Sequence, residues 1–153
     1  MFGAVVLGVS EYFKERALAE AADQVAQVSS QVKRGLMLAG YGPSGGADLS
    51  AFLINNEMVH RTMVDRNAAS PVLRHSLGRN LMTVTGYPDR FEIGIEGLEP
   101  DQCTKLLSAQ AQSGVVAIAV AGSDLDMTTI RETDISAACN GATAPITATL
   151  TFN

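Results

Sequence analysis

Apolar and small residues recur every three or four positions along the first 38 residues. The positions that form this stripe are Val5, Val9, Phe13, Ala17, Ala21, Val25, Val28, Val32 and Leu36. A step of three or four residues is the period of one face of an α-helix. No proline interrupts the segment, and Gly40, Gly42 and Pro43 follow it as stop signals. The pattern predicts one helix from Val5 to Leu38, about 50 Å long.

Residues 1–9 differ from the rest of this helix because they are apolar on every side. Such a stretch needs lipid or protein around its whole circumference. The apolar run is too short to span a bilayer, which takes about 20 residues. It also lacks the cationic start and the small-residue cleavage site of a secretory signal. We therefore expect the chain to begin partway through a longer hydrophobic helix.

The segment after the helix is predicted to be loop with one short helix. Residues 40–47, GYGPSGGA, are a run of turn-forming residues. Asp48 or Ser50 can cap a helix over 49–58, because both residue types are favoured caps. Residues 59–78 contain several basic residues and two histidines without a clear period, so loop with a short turn is predicted there.

Alternation with a period of two marks later segments as β-strands. Leu81–Thr85 and Phe91–Glu96 alternate around the turn Gly86–Asp89, as an antiparallel hairpin with one solvated face does. Ile146–Phe152 alternates in the same way. Val115–Val120 is a continuous apolar run instead, which is typical of a central strand covered on both faces.

Two further short helices are predicted around Val115–Val120. Glu99-Pro100-Asp101 opens the first, since proline is tolerated in the first turn, and its buried side would be Cys103, Leu106, Leu107 and Gln110. Thr133 caps the second, over 134–139. The order of elements predicts an α+β fold in which a long helix precedes an antiparallel sheet with short helices. Residues 1–38 would form the long helix and residues 39–153 a globular head.

Composition and charge limit the functions that this chain can have. The 153 residues are 46% hydrophobic and 18% charged, which suits one folded domain with a core and not a disordered chain. The net charge is −5, and no basic run is longer than Lys33-Arg34, so nucleic acid is not expected as a primary ligand. The sequence has no CxxC and no Cys/His cluster, so we expect no metal site and no cofactor.

The two cysteines, Cys103 and Cys139, leave the compartment open when they are considered alone. Isolated cysteines in a cytosolic protein are usually buried thiols. An enzymatic alternative is a cysteine nucleophile at Cys103 with His60 or His75 as its base. Against that alternative, Cys103 falls on the predicted buried side of its helix.

Four segments of the chain resemble the type IVb pilins, the toxin-coregulated, bundle-forming and conjugative thin-pilus subunits. They are the apolar helix start GAVVLGVSEYF, the strand-to-helix join RFEIGIEGLEPDQCTKLL, the short helix ISAACNG and the last strand ITATLTF. The resemblance covers nearly the whole chain in the order of its elements. It implies the pilin fold, in which a long N-terminal helix packs on an antiparallel sheet with short helices.

The resemblance also implies that Cys103 and Cys139 are bonded to each other and enclose the variable C-terminal segment of the family. A bond across such a loop stabilises a protein by on the order of 3–4 kcal/mol in the chain-entropy model. Disulfides persist in oxidising compartments such as the periplasm. The chain departs from the family at its start, because the leader-processing site and the first part of the membrane span are not found in it.

As a pilin, the chain would be a structural subunit of an extracellular type IV pilus that serves adhesion, bundling or conjugative contact. Its implied partners are other copies in a helical filament and, before assembly, the inner membrane and the assembly machinery of a Gram-negative cell. The positions expected in the filament core are Val5, Val6, Val9, Phe13 and Ala17. The positions expected to bury the helix against the sheet of the same chain are Val25, Val28, Val32 and Leu36.

Three other interpretations stay open at this point. A minor or tip pilin, acting as an adhesin or an assembly initiator, would share every feature above. A type II secretion pseudopilin resembles pilins at the helix, although pseudopilins usually lack the terminal disulfide. A soluble interaction domain could use an amphipathic helix to bind a partner or a membrane surface, but the polar side of this helix mixes acids and bases, which does not favour anionic lipid.

Overall fold

The first element of the protein is a single long helix, α1, Phe2–Leu36. The computed structural model describes the backbone of residues 2–36, 40–67, 69–111 and 113–153, and the side chains from residue 14 onward within those ranges. The helix begins earlier than the predicted start at Val5, and the predicted end at Leu38 lies outside the described residues. Its 35 residues make it about 52 Å long.

The head contributes three shorter α-helices in its described part: α2, Ser50–Asn55, α3, Pro100–Gln110, and α4, Glu132–Gly141. Helix α2 is shorter than the predicted 49–58, because the chain turns away at Glu57, whose φ is 53°. The Asp48 carboxylate accepts a hydrogen bond from the Ser50 amide at 2.9 Å, and it thereby satisfies one free amide at the helix start.

Within the described ranges, eight strands form one antiparallel sheet. They are β1, Ala47–Asp48, β2, Val64–Asp65, β3, Val72–Arg74, β4, Leu81–Gly86, β5, Phe91–Leu98, β6, Ala117–Val120, β7, Ser123–Asp124, and β8, Ile146–Phe152. The strand order is β2-β3-β4-β5-β8-β6-β7, and β1 pairs with β4 outside this path. The last strand of the chain therefore lies inside the sheet, between β5 and β6.

One face of this sheet carries the core. Val84 pairs with Ile93, and Ile93 pairs with Leu150 across the next ladder; all three side chains are fully buried. The intervening positions point the other way, and Thr147 is exposed. This alternation is the pattern of an antiparallel sheet with one packed face and one solvated face, as predicted for the β4–β5 hairpin.

The prediction of loop with a short turn over residues 59–78 is wrong where two strands form. The segment contains a 3₁₀ turn, Arg61–Met63, and the strands β2 and β3, in which Val64 pairs with Leu73. Each of these strands has two or three residues, too few to show a period of two. Their pairing with β4 decides their conformation, and that pairing is not visible in the local sequence.

The prediction of a strand covered on both faces at Val115–Val120 is also wrong. Strand β6 begins at Ala117, and only Ile118 and Val120 are buried within it. Val116 is 42% exposed. The strand lies next to the edge strand β7, and Ala117 and Ala119 on its other face are only half-buried.

Candidate functional site

The middle of α1 is the part of the helix that packs on the head. Ala21, Val25, Val28 and Val32 have no exposed surface, and Leu36 is partly buried against the same core. These residues lie on one face, at steps of three or four. The buried stripe thus includes the positions predicted for helix-to-sheet packing, Val25, Val28, Val32 and Leu36.

The start of α1 holds most of the positions predicted for the filament core. The side chains of Val5, Val6, Val9 and Phe13 lie outside the described residues. Ala17 is partly buried against the core of its own chain, and its carbonyl accepts a hydrogen bond from the Ser76 hydroxyl at 2.6 Å. The head of this chain therefore contacts α1 as far back as Ala17.

Two glutamines tie α1 to the head by hydrogen bonds that the sequence did not reveal. The Gln24 side-chain oxygen accepts from the Ser76 amide at 2.9 Å. The Gln110 side-chain amide donates to the Ala22 carbonyl at 3.3 Å. Both glutamines are buried, and a buried polar side chain with a fixed partner holds the rotation of a helix. The sequence feature that could have revealed them is a polar residue among the buried positions of a helix.

Cys103 of α3 and Cys139 of α4 form a disulfide, as the resemblance implies. Their Cα atoms are 5.8 Å apart, and both residues are fully buried. The bond joins positions 36 residues apart, for which the chain-entropy model gives about 4 kcal/mol. It holds α3 against α4 and encloses β6, β7 and the loop between β7 and α4.

The same bond excludes the cysteine nucleophile considered above, because Cys103 has no free thiol. Neither proposed base is directed at it. His75 is buried; its Nε2 lies 2.7 Å from the Glu96 carbonyl oxygen, and its Nδ1 accepts from the Leu77 amide at 3.2 Å. Burial lowers the pKa of His75. His60 is at the start of the 3₁₀ turn, where its Nδ1 is 2.8 Å from the Thr62 hydroxyl.

A groove of about 690 Å³ lies beside α1 on the surface of the head. Gln27 and Gln31 of α1 line one wall, and Glu57, Arg61 and Arg66 are among the residues of the other. In the described part of the chain, no group of three or more His, Cys, Asp or Glu residues could hold a metal ion. The described helices also include none with an apolar stretch long enough to cross a membrane.

Comparison with solved structures places this fold beside those of type IV pilins. The type IVb pilin from Salmonella typhi has a TM-score of 0.61 and 18% identity, over 91% of this chain and 99% of that one. TcpA, a type IV pilin from Vibrio cholerae El Tor biotype, has a TM-score of 0.62 and 15% identity, over 90% and 99%. The sequence matches no family model and no curated protein. The chain has a type IVb pilin-like α+β fold, which confirms the predicted fold class.

Proposed function

We propose that this chain is a structural subunit of an extracellular type IV pilus, that it polymerises through α1 and that it catalyses no reaction. The observation that carries the proposal is the division of α1 into two parts. From Ala21 to Val32 one face of the helix is buried on the head of its own chain. Residues 2–9 are apolar on every side, so they need apolar surroundings that one face of a single head does not supply.

Copies of the same helix would provide those surroundings. Val5, Val6, Val9 and Phe13 of one copy would pack against other copies in the core of a filament, with Ala17 at the boundary with the head. Full burial of one Val or Phe side chain contributes about 1.5–3 kcal/mol. Burial of several such side chains between copies would therefore stabilise the filament more than a weak contact of the helix start with its own head. A contact between different surfaces of identical subunits does not close, and it continues as a helical filament.

The disulfide supports an extracytoplasmic location. The Cys103–Cys139 bond persists in an oxidising compartment. Before polymerisation, the inner membrane and an assembly machinery of a Gram-negative cell would hold the subunit. In the assembled fibre, the heads would face outward and serve adhesion, bundling or conjugative contact. The bond also weighs against the pseudopilin alternative, because pseudopilins usually lack it.

Extending α1 tests the proposal. An apolar helical segment of about 20 residues, joined in register before Phe2, should make the protein insert into vesicles or polymerise into material that sediments. Val9→Lys should reduce the sedimenting fraction at least tenfold, because it places a charge in the apolar contact. Ala19→Lys is the matched control on an exposed position of α1, and it should leave the fraction unchanged. An extended chain that stays monomeric in water contradicts the proposal.

A further inference from the structure

The turn between β3 and β4, residues 75–80, attaches α1 to the head through Ser76. The Ser76 amide donates to the Gln24 side-chain oxygen at 2.9 Å, and the Ser76 hydroxyl donates to the Ala17 carbonyl at 2.6 Å. From Ala21 onward a fully buried apolar stripe also holds the helix, whereas Ala17 is only half-buried. The bonds of Ser76 therefore matter most where the apolar contact is weakest, around Ala17.

A buried histidine closes the same turn. His75 has no exposed surface. Its Nδ1 accepts a hydrogen bond from the Leu77 amide at 3.2 Å, so this nitrogen carries no proton. Nε2 then carries the ring proton and donates to the Glu96 carbonyl oxygen, which is 2.7 Å away. Both bonds can exist together only while the imidazole is neutral.

The carbonyl of Glu96 points to His75 from an irregular part of β5. The pairing of β5 with β8 is regular up to Ile95 and resumes at Leu98, with a shift of register between them. Such a bulge takes backbone groups out of the ladder and redirects them. The imidazole of His75 thus connects the bulge in the sheet to the turn that attaches α1.

We propose that this turn is a pH-sensitive switch, which releases the part of α1 before Ala21 when His75 binds a proton at Nδ1. A protonated Nδ1 is a donor and has no lone pair left for the Leu77 amide. Two donors would then face each other in a buried place, and the turn opens to separate them. Ser76 lies between these two residues and moves with them, so its bonds to α1 are lost.

The release is confined to the first part of the helix. Val25 and Val28 are fully buried on the head, and the Gln110 side chain donates to the Ala22 carbonyl at 3.3 Å. None of these contacts involves the turn, so α1 stays docked from Ala21 onward. All the contacts lie within one chain, and the switch therefore does not rest on the proposed function.

The charged groups around the turn leave His75 as the group that responds to mild acid. Burial lowers the pKa of His75, and the hydrogen bond to the Glu96 carbonyl and the charge of Glu96 oppose that shift. Other titratable or charged side chains on the surrounding elements are Glu20 and Asp23 of α1, His60, Asp65 with its partner Arg74, and Arg79 of the turn itself. Histidine is the residue type whose ordinary pKa lies between about 5 and 8, and His75 is the buried one of the two histidines.

Proton linkage gives the size of the effect. The open turn binds the proton with the ordinary pKa of 6.5, whereas the closed turn resists it. The closed turn is therefore favoured above pH 6.5 and loses this advantage as the pH falls. Between about pH 7.5 and about pH 5, the population of the open turn should rise by up to about thirtyfold.

Amide hydrogen exchange of the full chain at about pH 7.5 and about pH 5, corrected for the intrinsic effect of pH, measures that opening. The Ser76 and Leu77 amides should lose protection several-fold, up to about thirtyfold, at the lower pH. The Leu125 amide donates to the Ile118 carbonyl at 2.9 Å beside the far edge of the sheet, and its protection should stay the same within about twofold. Unchanged protection at Ser76, or an equal loss at Leu125, would overturn the proposal.

A single indole reports the release of α1. The chain has no tryptophan, and Leu18 is partly buried against the core. Leu18→Trp therefore places one fluorophore on the part of the helix that should move. Its emission should shift to longer wavelength as the pH falls from about 7.5 to about 5. An emission that does not shift while the Ser76 amide opens would show that the turn does not release the helix.

Variants at three positions assign both responses to the turn. His75→Gln should abolish the pH dependence of exchange and of emission, because a glutamine amide binds no proton in this range. His60→Gln is the matched control at an exposed histidine, and both responses should persist in it. Ser76→Ala removes the hydroxyl bond to Ala17, so the indole emission should already lie at longer wavelength at neutral pH.

A His75→Gln protein that keeps the pH responses would assign them to another group and overturn the proposal. If His75→Gln does not fold, Ser76→Ala decides, and an unshifted emission at neutral pH then counts against the switch. The chain is used without extension of α1, so failure here leaves the filament proposal untouched, and the converse also holds.

Discussion

Gln24 of α1 and Ser76, in the turn between β3 and β4, are joined by a hydrogen bond of 2.9 Å from the Ser76 amide to the Gln24 side-chain oxygen. The Ser76 hydroxyl donates to the Ala17 carbonyl two turns earlier on the same helix. Ser76 thus forms hydrogen bonds with α1 at two positions that are two helical turns apart. This pair fixes the rotation of the helix on the head. In the filament proposed above, that rotation would set which face of the apolar start of α1 meets a neighbouring copy.

Removing the Gln24 side chain should destabilise the head. Gln24→Ala leaves the Ser76 amide without its partner in a half-buried position, so we expect a loss near the lower end of the about 1–3 kcal/mol that an unsatisfied buried donor costs. Urea unfolding, followed by circular dichroism, measures the change. Gln27→Ala is the control, because Gln27 is exposed on the same helix and should change the free energy of unfolding by less than about 0.5 kcal/mol. Equal effects of the two substitutions would contradict the anchor.

Val28 should contribute more to the free energy of unfolding than an exposed valine does. Val28 has no exposed surface, whereas Val116 is 42% exposed. Val28→Ala removes buried methyl groups and leaves a cavity, so we expect a loss of about 2 kcal/mol. Val116→Ala makes the same chemical change and should cost less than about 0.5 kcal/mol. The two denaturant midpoints give the comparison, and a Val28→Ala protein as stable as the parent would show that α1 does not pack as described.

Removing the Cys103–Cys139 bond should lower the free energy of unfolding, and the native parent protein should contain no free thiol. The double variant Cys103→Ala with Cys139→Ala should lose about 4 kcal/mol in the chain-entropy model, with α3 and α4 loosened first because the bond joins them. Thiol titration of the native parent should find no free thiol before reductant is added. A native protein that releases two thiols without reductant would refute the pairing.

Stability should fall as the pH drops below 6.5, and His75 should cause part of that fall. Burial lowers the pKa of His75 from the ordinary value of 6.5, so below that pH the unfolded chain binds a proton that the folded chain resists. The stabilisation is complete above pH 6.5 and is lost progressively down to the folded pKa. The Arg74 hydrogen bond lowers the pKa of Asp65. Carboxylates of this kind lose their stabilising contribution only below pH 3.8, outside the window of His75.

Unfolding free energies measured between pH 7.5 and 5 separate the two histidines. His75→Gln should be less stable at neutral pH and should flatten the profile in this window. His60→Gln is the matched control, because His60 is exposed. A His75→Gln profile as steep as that of the parent would assign the slope to other groups.

Helices and strands long enough to repeat their apolar pattern several times could be predicted from the sequence. Strands of two or three residues could not. Strand β8 was predicted with the bounds that the structure gives, Ile146–Phe152, because its seven residues alternate. The buried side of α3 was also predicted in full. Strands β2, β3 and β7 have two or three residues each, and hydrogen bonds to neighbouring strands, not local pattern, determine them.

The candidate surfaces divide in the same way. The apolar start of α1 is a local feature, and it was visible as an unbroken run of side chains. The strand order is not a local feature: β2 and β7 lie at opposite ends of the sheet, and β8 returns to pair between β5 and β6. No local pattern reports that placement. Gln24 and Gln110 were likewise missed as anchors, because their partners are distant in sequence.

The most direct measurement is a cryo-electron microscopy map of fibres grown from the chain with an apolar segment joined before Phe2. We expect α1 of neighbouring copies to pack together along the fibre axis, with Val5, Val9 and Phe13 in contact between copies and the heads outside. A chain that yields no fibres, or fibres in which the start of α1 faces water and only the heads touch, would contradict it.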